Sequence, residues 1–233
     1  MWAGLGVSLT ASCTSPTPSA APTTSTPPPE VPAATAGTIL SSTAPEPTGV
    51  PGLAAADPFC AAWAGYAGTL QALGVAASFG GLVADRLAAL ELTSAPRLVE
   101  FAASIDAGWP AELAAEQATV IDNRIGPYMR RAQRGVEALR SAGVGSTELT
   151  ALSAAWQASL AERDPRVAVI ELPSVASDLQ DKIDAAARAF DNDVTPFAED
   201  PSLSVENVQT PATDEYLSTH CPDLASSGVG DAL

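Results

Sequence analysis

Residues 57–74 read DPFCAAWAGYAGTLQALG, and this stretch decides the fold class. Asp57 is a favoured residue just ahead of a helix, and Pro58 is favoured in its first turn. Bulky apolar side chains then recur at steps of four and three residues, at Phe59, Trp63, Tyr66, Leu70 and Leu73. This is the period of an α-helix, so the stretch predicts a first helix with one apolar face that ends near Gly74.

The chain beyond this stretch repeats the helical pattern. Apolar spacing and capping residues predict further helices at 79–92, 94–105, 110–141, 146–160, 173–190 and 212–220. Gly126 and Pro127 predict a bend within the segment 110–141. The run VAVIEL at 167–172 is strand-like but has no partner strand, and we interpret it as an extended connector or a short helical turn. The sequence therefore predicts an all-α fold, a single bundle of about six helices over residues 55–225, followed by a mobile tail at 226–233.

Composition and charge exclude some classes of function. The chain has 233 residues and a formal net charge of −16, which argues against a nucleic-acid partner because such proteins need a basic face. A single histidine excludes any metal site built from two histidines of this chain. No apolar run approaches the roughly 18 residues that a transmembrane helix needs.

A polar, proline-rich segment precedes the predicted bundle. Residues 14–52 contain 10 Pro, 9 Thr and 5 Ser and no aromatic residue. Such a segment cannot bury enough apolar surface to offset the entropy of ordering it. The sequence therefore predicts a disordered linker over residues 13–54, extended by its prolines into a spacer.

The N-terminus carries an export-like pattern. Residues 1–12 are uncharged and mostly apolar, too short to span a bilayer, and end at Cys13. The run Leu9-Thr10-Ala11-Ser12-Cys13 resembles a bacterial lipobox, although Leu9 stands four residues before the cysteine rather than three. This resemblance implies a signal peptide at 1–12, a lipid on Cys13 and attachment to the outer face of the cell membrane. The alternative is an apolar N-terminus on a cytosolic protein that matches by chance.

The runs FCAAW at 59–63 and CPDL at 221–224 add a weaker likeness. They resemble uncharacterised helical envelope lipoproteins of high-GC Gram-positive bacteria, a group that brings no known activity. Once Cys13 is set aside, Cys60 and Cys221 remain as an even pair, which in an exported protein predicts a disulfide. The alternative is two separate buried thiols.

Motifs for catalysis and for cofactors are missing from the sequence. It contains no phosphate-binding loop and no serine-hydrolase motif, and the acidic run at 191–193 fails the calcium-loop pattern at two diagnostic positions. We expect no metal and no cofactor.

Two sets of side chains are candidates for binding. A helical wheel of 100° per residue places four arginines on one arc: Arg124, Arg130, Arg131 and Arg134. This arc is either a solvated face or an anion-binding stripe for lipid headgroups or cell-wall polymers. Three aromatic residues are core residues or the lining of a ligand pocket between helices: Trp109, Tyr128 and Trp156.

Three functional hypotheses follow from these features. The first is a non-catalytic, surface-tethered interaction module whose partner is an envelope protein or a cell-wall component. The second is an extracytoplasmic protein that binds a small ligand. The third is a hydrolase that uses carboxylates alone.

Overall fold

The computed structural model describes residues 49–78, 80–162, 172–203 and 208–226. All regular structure within these ranges is helical, which confirms the predicted all-α fold. The predicted signal peptide, Cys13, most of the linker, the strand-like run up to residue 171 and the tail beyond residue 226 lie outside the described residues. None of the described helices is long and apolar enough to cross a membrane.

The bundle is built from helices of very different lengths. Three short 3₁₀ turns lie at Ala111–Leu113, Phe197–Glu199 and Pro201–Leu203, and a π-helical turn lies at Val120–Ile125. The α-helices are α1 (Pro58–Ser78), α2 (Gly80–Ala107), α3 (Gln117–Thr119), α4 (Gly126–Ser141), α5 (Ser146–Glu162), α6 (Ser177–Asp193), α7 (Pro211–His220) and α8 (Pro222–Ser226).

Helix α1 begins as predicted but is buried on more than one face. The Asp57 carboxylate accepts a hydrogen bond from the backbone amide of Phe59 at 2.8 Å and so caps the helix. Alanines and glycines between the predicted apolar positions are buried as well, so α1 lies inside the bundle rather than along its surface. The small residues let neighbours approach closely: a Cβ at Gly65 would overlap the Phe101 ring of α2.

Helix α2 is the hub of the bundle, since it packs against α1, α4, α5 and α6. The sequence predicted two helices here, with a break at 92–94, and that prediction was wrong. Pro96 lies inside one continuous helix. The Thr93 hydroxyl donates to the carbonyl of Ala89 and the Ser94 hydroxyl to that of Glu91, so these polar side chains are satisfied inside the helix instead of capping a new one.

The segment 110–141 also differs from its prediction. The residues after Pro110 form a 3₁₀ turn, and regular helix begins only at Gln117. The predicted irregularity at Gly126-Pro127 is present as a π-helical turn that ends at Ile125. The wider turn accommodates Pro127, which has no backbone N–H to donate.

The folded part begins earlier than the sequence predicted. Val50 belongs to the core, and its backbone amide donates to the carbonyl of Leu160 at 2.8 Å, so residues 49–54 are part of the bundle and not of the linker. At the other end Leu224 of α8 is buried, within the predicted bound at residue 225. Helix α6 starts at Ser177, later than the predicted Pro173 or Ser174.

Candidate functional site

A buried ion pair joins the two central helices. Arg131 of α4 donates from Nε to Oε2 of Glu91 at 2.7 Å and from Nη2 to Oε1 at 3.1 Å. Glu91 lies on α2, and both residues are less than 8% exposed, at 7% and 4% respectively. Such bidentate pairing satisfies both carboxylate oxygens and fixes the orientation of the guanidinium.

The same arginine holds a surface segment in place. We call residues 194–203, which follow α6, the strap. Arg131 Nη1 donates to the backbone carbonyl of Thr195 at 2.8 Å and to Oδ2 of Asp200 at 2.9 Å. Near the end of the strap, the Tyr128 hydroxyl donates to the carbonyl of Leu203 at 2.9 Å. Side chains of α4 thus hold the strap at both of its ends.

Aromatic rings surround the Arg131 guanidinium. It lies 5.4 Å from the ring centre of Phe197 on the strap and 5.7 Å from that of Phe190 on α6. The Phe197 ring also lies 6.1 Å from the Tyr128 ring, at an angle of 40°. These distances are typical of cation–π and aromatic contacts. The ion pair is therefore enclosed by apolar surface as well as by hydrogen bonds.

Two spaces adjoin this cluster. One is a small, partly open cavity of about 20 Å³, room for about one water molecule, between α2, α4 and the Phe197 ring. The other is a groove of about 870 Å³ between α2, α6 and the strap. Its described walls combine apolar side chains such as Leu87, Val194 and Phe197 with charged ones such as Arg86 and Asp184. The volume lies in the range of small-molecule sites.

Burial controls the electrostatics of the cluster. Burial raises the pKa of Glu91 even though hydrogen bonds from Arg131 favour its charged form. The pKa of Asp200 moves the other way: hydrogen bonds from the hydroxyl and the amide of Ser202, together with Arg131, hold it below its usual value. Burial also raises the pKa of Tyr128, so its hydroxyl keeps the proton that it donates to Leu203.

The predicted arginine stripe is not a continuous surface. Arg124 is largely buried, and its Nη1 donates to the Thr210 hydroxyl and, at 2.7 Å, to Oδ1 of Asp214. Arg131 is buried in the cluster, and Arg130 and Arg134 are exposed. The wheel assumed a regular helix, whereas Arg124 lies in the π-helical turn and acidic partners from α2, α7 and the strap draw two of the arginines inward.

The three predicted pocket aromatics have different surroundings. Trp156 is buried in the core, where its indole N–H donates to the Thr69 hydroxyl at 3.0 Å. Trp109 is half-buried and donates to the carbonyl of Leu113 at 2.9 Å. Of the three, only Tyr128 borders the small cavity beside Phe197. These contacts favour the core interpretation of Trp109 and Trp156.

The predicted disulfide is present. Cys60 and Cys221 are bonded, at a sequence separation of 161 and with 5.5 Å between their Cα atoms. The bond fastens the start of α1 to the end of α7, so the two ends of the bundle lie together. Both cysteines are buried.

Sequence reasoning missed Glu91, Asp200 and Phe197. Glu91 left one usable signal, since it is a lone acid between leucines in the run LAALEL at 87–92, where a buried ion pair is the expected reason for a charge. Asp200 and Phe197 left none, because they lie in an irregular segment whose place depends on contacts with α4. No group of three potential metal ligands occurs among the described residues. Comparisons of the chain with protein-family models, with curated proteins and with solved structures gave no match.

Proposed function

We propose that this protein is a non-catalytic binding module of the bacterial envelope, held at the outer face of the cell membrane by a lipid on Cys13. The observation that carries the proposal is the Cys60–Cys221 disulfide. Disulfides persist outside the reducing cytosol, and this bond leaves Cys13 as the unpaired cysteine. The proline-rich residues that follow Cys13 give the bundle a spacer from the membrane.

Mass spectrometry of the intact protein from its native membrane tests the anchor. The expected mass is that of a chain starting at Cys13, carrying diacylglycerol and lacking the two protons of the disulfide. The variant Cys13→Ala should leave the membrane fraction, while Ser15→Ala, a matched change in the same segment, should stay. Full-length protein in the cytosol, with all three thiols open to alkylation, would contradict the proposal.

A small molecule in the groove is a second candidate function, and the groove of about 870 Å³ favours it. Val194 lines the groove and is half-buried, so Val194→Trp should fill part of the space. Native mass spectrometry of wild type from envelope extracts should show a bound small molecule that Val194→Trp lacks. Ala103→Trp, at an exposed position on α2 away from the groove, is the control and should keep it. Wild type without any bound molecule contradicts this function.

A partner in the envelope remains the alternative ligand of the module. Arg130 and Arg134 are exposed on α4 and present positive charge on an acidic protein. Replacing both with Gln should weaken binding to vesicles of anionic lipid, measured by co-sedimentation at low salt. If the variant binds the vesicles as tightly as wild type does, the two charges contribute to solubility and not to binding.

A carboxylate-based hydrolase is favoured least. The groove does gather acids, including Glu91, Asp184 and Glu199. Of these, Glu91 has the raised pKa that a general acid needs, but Arg131 engages both of its oxygens. That pairing serves to hold helices and strap together.

A further inference from the structure

We propose that the Phe197 ring occupies a subsite for one aromatic ring of the ligand, and that a small polar aromatic molecule bound in the groove displaces this ring and takes its place over the Arg131 guanidinium. This inference rests on the second candidate function, that the groove binds a small molecule.

The first step in the argument is that the two spaces share a wall. The groove and the small cavity share four lining residues: Glu91, Arg131, Phe190 and Phe197. Of these four, Phe197 alone lies on the strap, and the others lie on the long helices α2, α4 and α6. Moving the Phe197 side chain outward would therefore join the small cavity to the groove.

The second step is that the ring can move without breaking the hydrogen bonds of the strap. Arg131 binds the strap at Thr195 and Asp200, and Tyr128 binds it at Leu203. The Phe197 side chain has no polar atom: it makes ring contacts with Arg131 and Tyr128 and packs against the apolar core, so moving it costs packing but no hydrogen bond. It is half-buried. A rotation of this side chain leaves the bonds at both ends of the strap in place.

The third step is that the site already has the chemistry to recognise a ring. A ring in the position of Phe197 has the guanidinium 5.4 Å from its centre, the Tyr128 ring 6.1 Å away and Phe190 behind the guanidinium. The groove next to it carries charges of both signs, at Arg86, Asp184 and Glu199. These surroundings fit a molecule that has one aromatic ring and polar substituents.

Benzyl alcohol is a suitable probe, because it offers one ring and one hydroxyl. Its dissociation constant is measured by NMR titration of wild type, Phe197→Ala and the control Tyr216→Ala. Tyr216 is also half-buried and makes aromatic contacts, but with Phe59 and not with this cluster. Phe197→Ala should bind about tenfold more tightly than wild type, since no ring has to be displaced, and the probe should contact Tyr128 and Phe190. Tyr216→Ala should match wild type.

Phe197→Leu keeps the position apolar and serves as a second variant in case Phe197→Ala does not fold. Its affinity for benzyl alcohol should lie between those of Phe197→Ala and wild type. Its far-UV circular dichroism spectrum should match that of wild type. The inference is overturned if Phe197→Ala binds benzyl alcohol no more tightly than wild type, or binds it elsewhere. One outcome is that Phe197→Ala fails this test while Val194→Trp still lacks the small molecule that wild type carries from envelope extracts. In that case the groove binds a ligand, but the ligand's ring does not replace Phe197. If wild type carries no small molecule either, both proposals fail.

Discussion

Replacing Arg131 with Met tests how the bundle and the strap are held together. The methionine side chain fills most of the same space but offers no donor. In the described part of the chain Arg131 is the hydrogen-bond donor to both Glu91 oxygens, so the variant leaves a buried carboxylate without a partner. It also removes the bonds to Thr195 and Asp200.

Breaking one side of a buried ion pair costs about 3–5 kcal/mol of unfolding free energy. Glu91 has a way to reduce this cost, because burial already raises its pKa and the variant lets it take up a proton. Protonating Glu91 in the variant costs about 1.4 kcal/mol for each pH unit by which the assay pH exceeds the pKa of Glu91. We therefore expect a loss of about 3 kcal/mol at neutral pH and a smaller loss at acidic pH.

Urea denaturation followed by far-UV circular dichroism measures these losses. The double variant Glu91→Leu with Arg131→Met removes both charges and should recover part of the loss, ending within about 1–2 kcal/mol of wild type. Arg134→Met is the matched control: its side chain is 53% exposed and 4.0 Å from Asp200, so its effect should stay below about 0.5 kcal/mol.

Two results would refute this reasoning. One is a loss below about 1 kcal/mol for Arg131→Met, which would mean that the pair is open to water. The other is a double variant as unstable as the sum of the two single variants, which would show that Glu91 and Arg131 do not act as a pair.

Three further predictions concern the core, the disulfide and pH. Gly65→Ala should cost about 1–3 kcal/mol in urea denaturation because its methyl group overlaps an α2 ring, whereas Gly74→Ala, with no neighbour within 4 Å, should be neutral or stabilising; equal effects would contradict the close packing. Reducing Cys60–Cys221 should lower the unfolding free energy by up to about 5 kcal/mol, given the 161-residue separation, and an unchanged urea midpoint with dithiothreitol would oppose this. Because the pKa of Glu91 is raised, its carboxyl group stays protonated in the folded chain above pH 4.5, the ordinary pKa. Wild type should therefore lose stability relative to Glu91→Gln as pH rises through the folded-state pKa. A gain in stability over this range would refute the prediction.

The candidate site shows where prediction from sequence ends. Arg131 was identified as one of four arginines on an arc, but its partners Glu91 and Asp200 lie 40 and 69 residues away in sequence. A helical wheel shows which side chains share a face and gives no information on what lies opposite that face. For the same reason it could not separate buried Arg131 from exposed Arg134.

The sequence by itself determined the helical fold, the cap at Asp57 and the pairing of Cys60 with Cys221. The helical fold follows from the periodicity of apolar residues. The cap follows from a hydrogen bond between a side chain and a backbone amide two residues later. The pairing of the cysteines follows from their count. The tertiary structure alone decided that α2 continues through Pro96, that Val50 joins the core, and that a groove forms beside the strap. These features arise where helices distant in sequence meet, and the packing and charge pairing between them outweigh the local preference of any single segment.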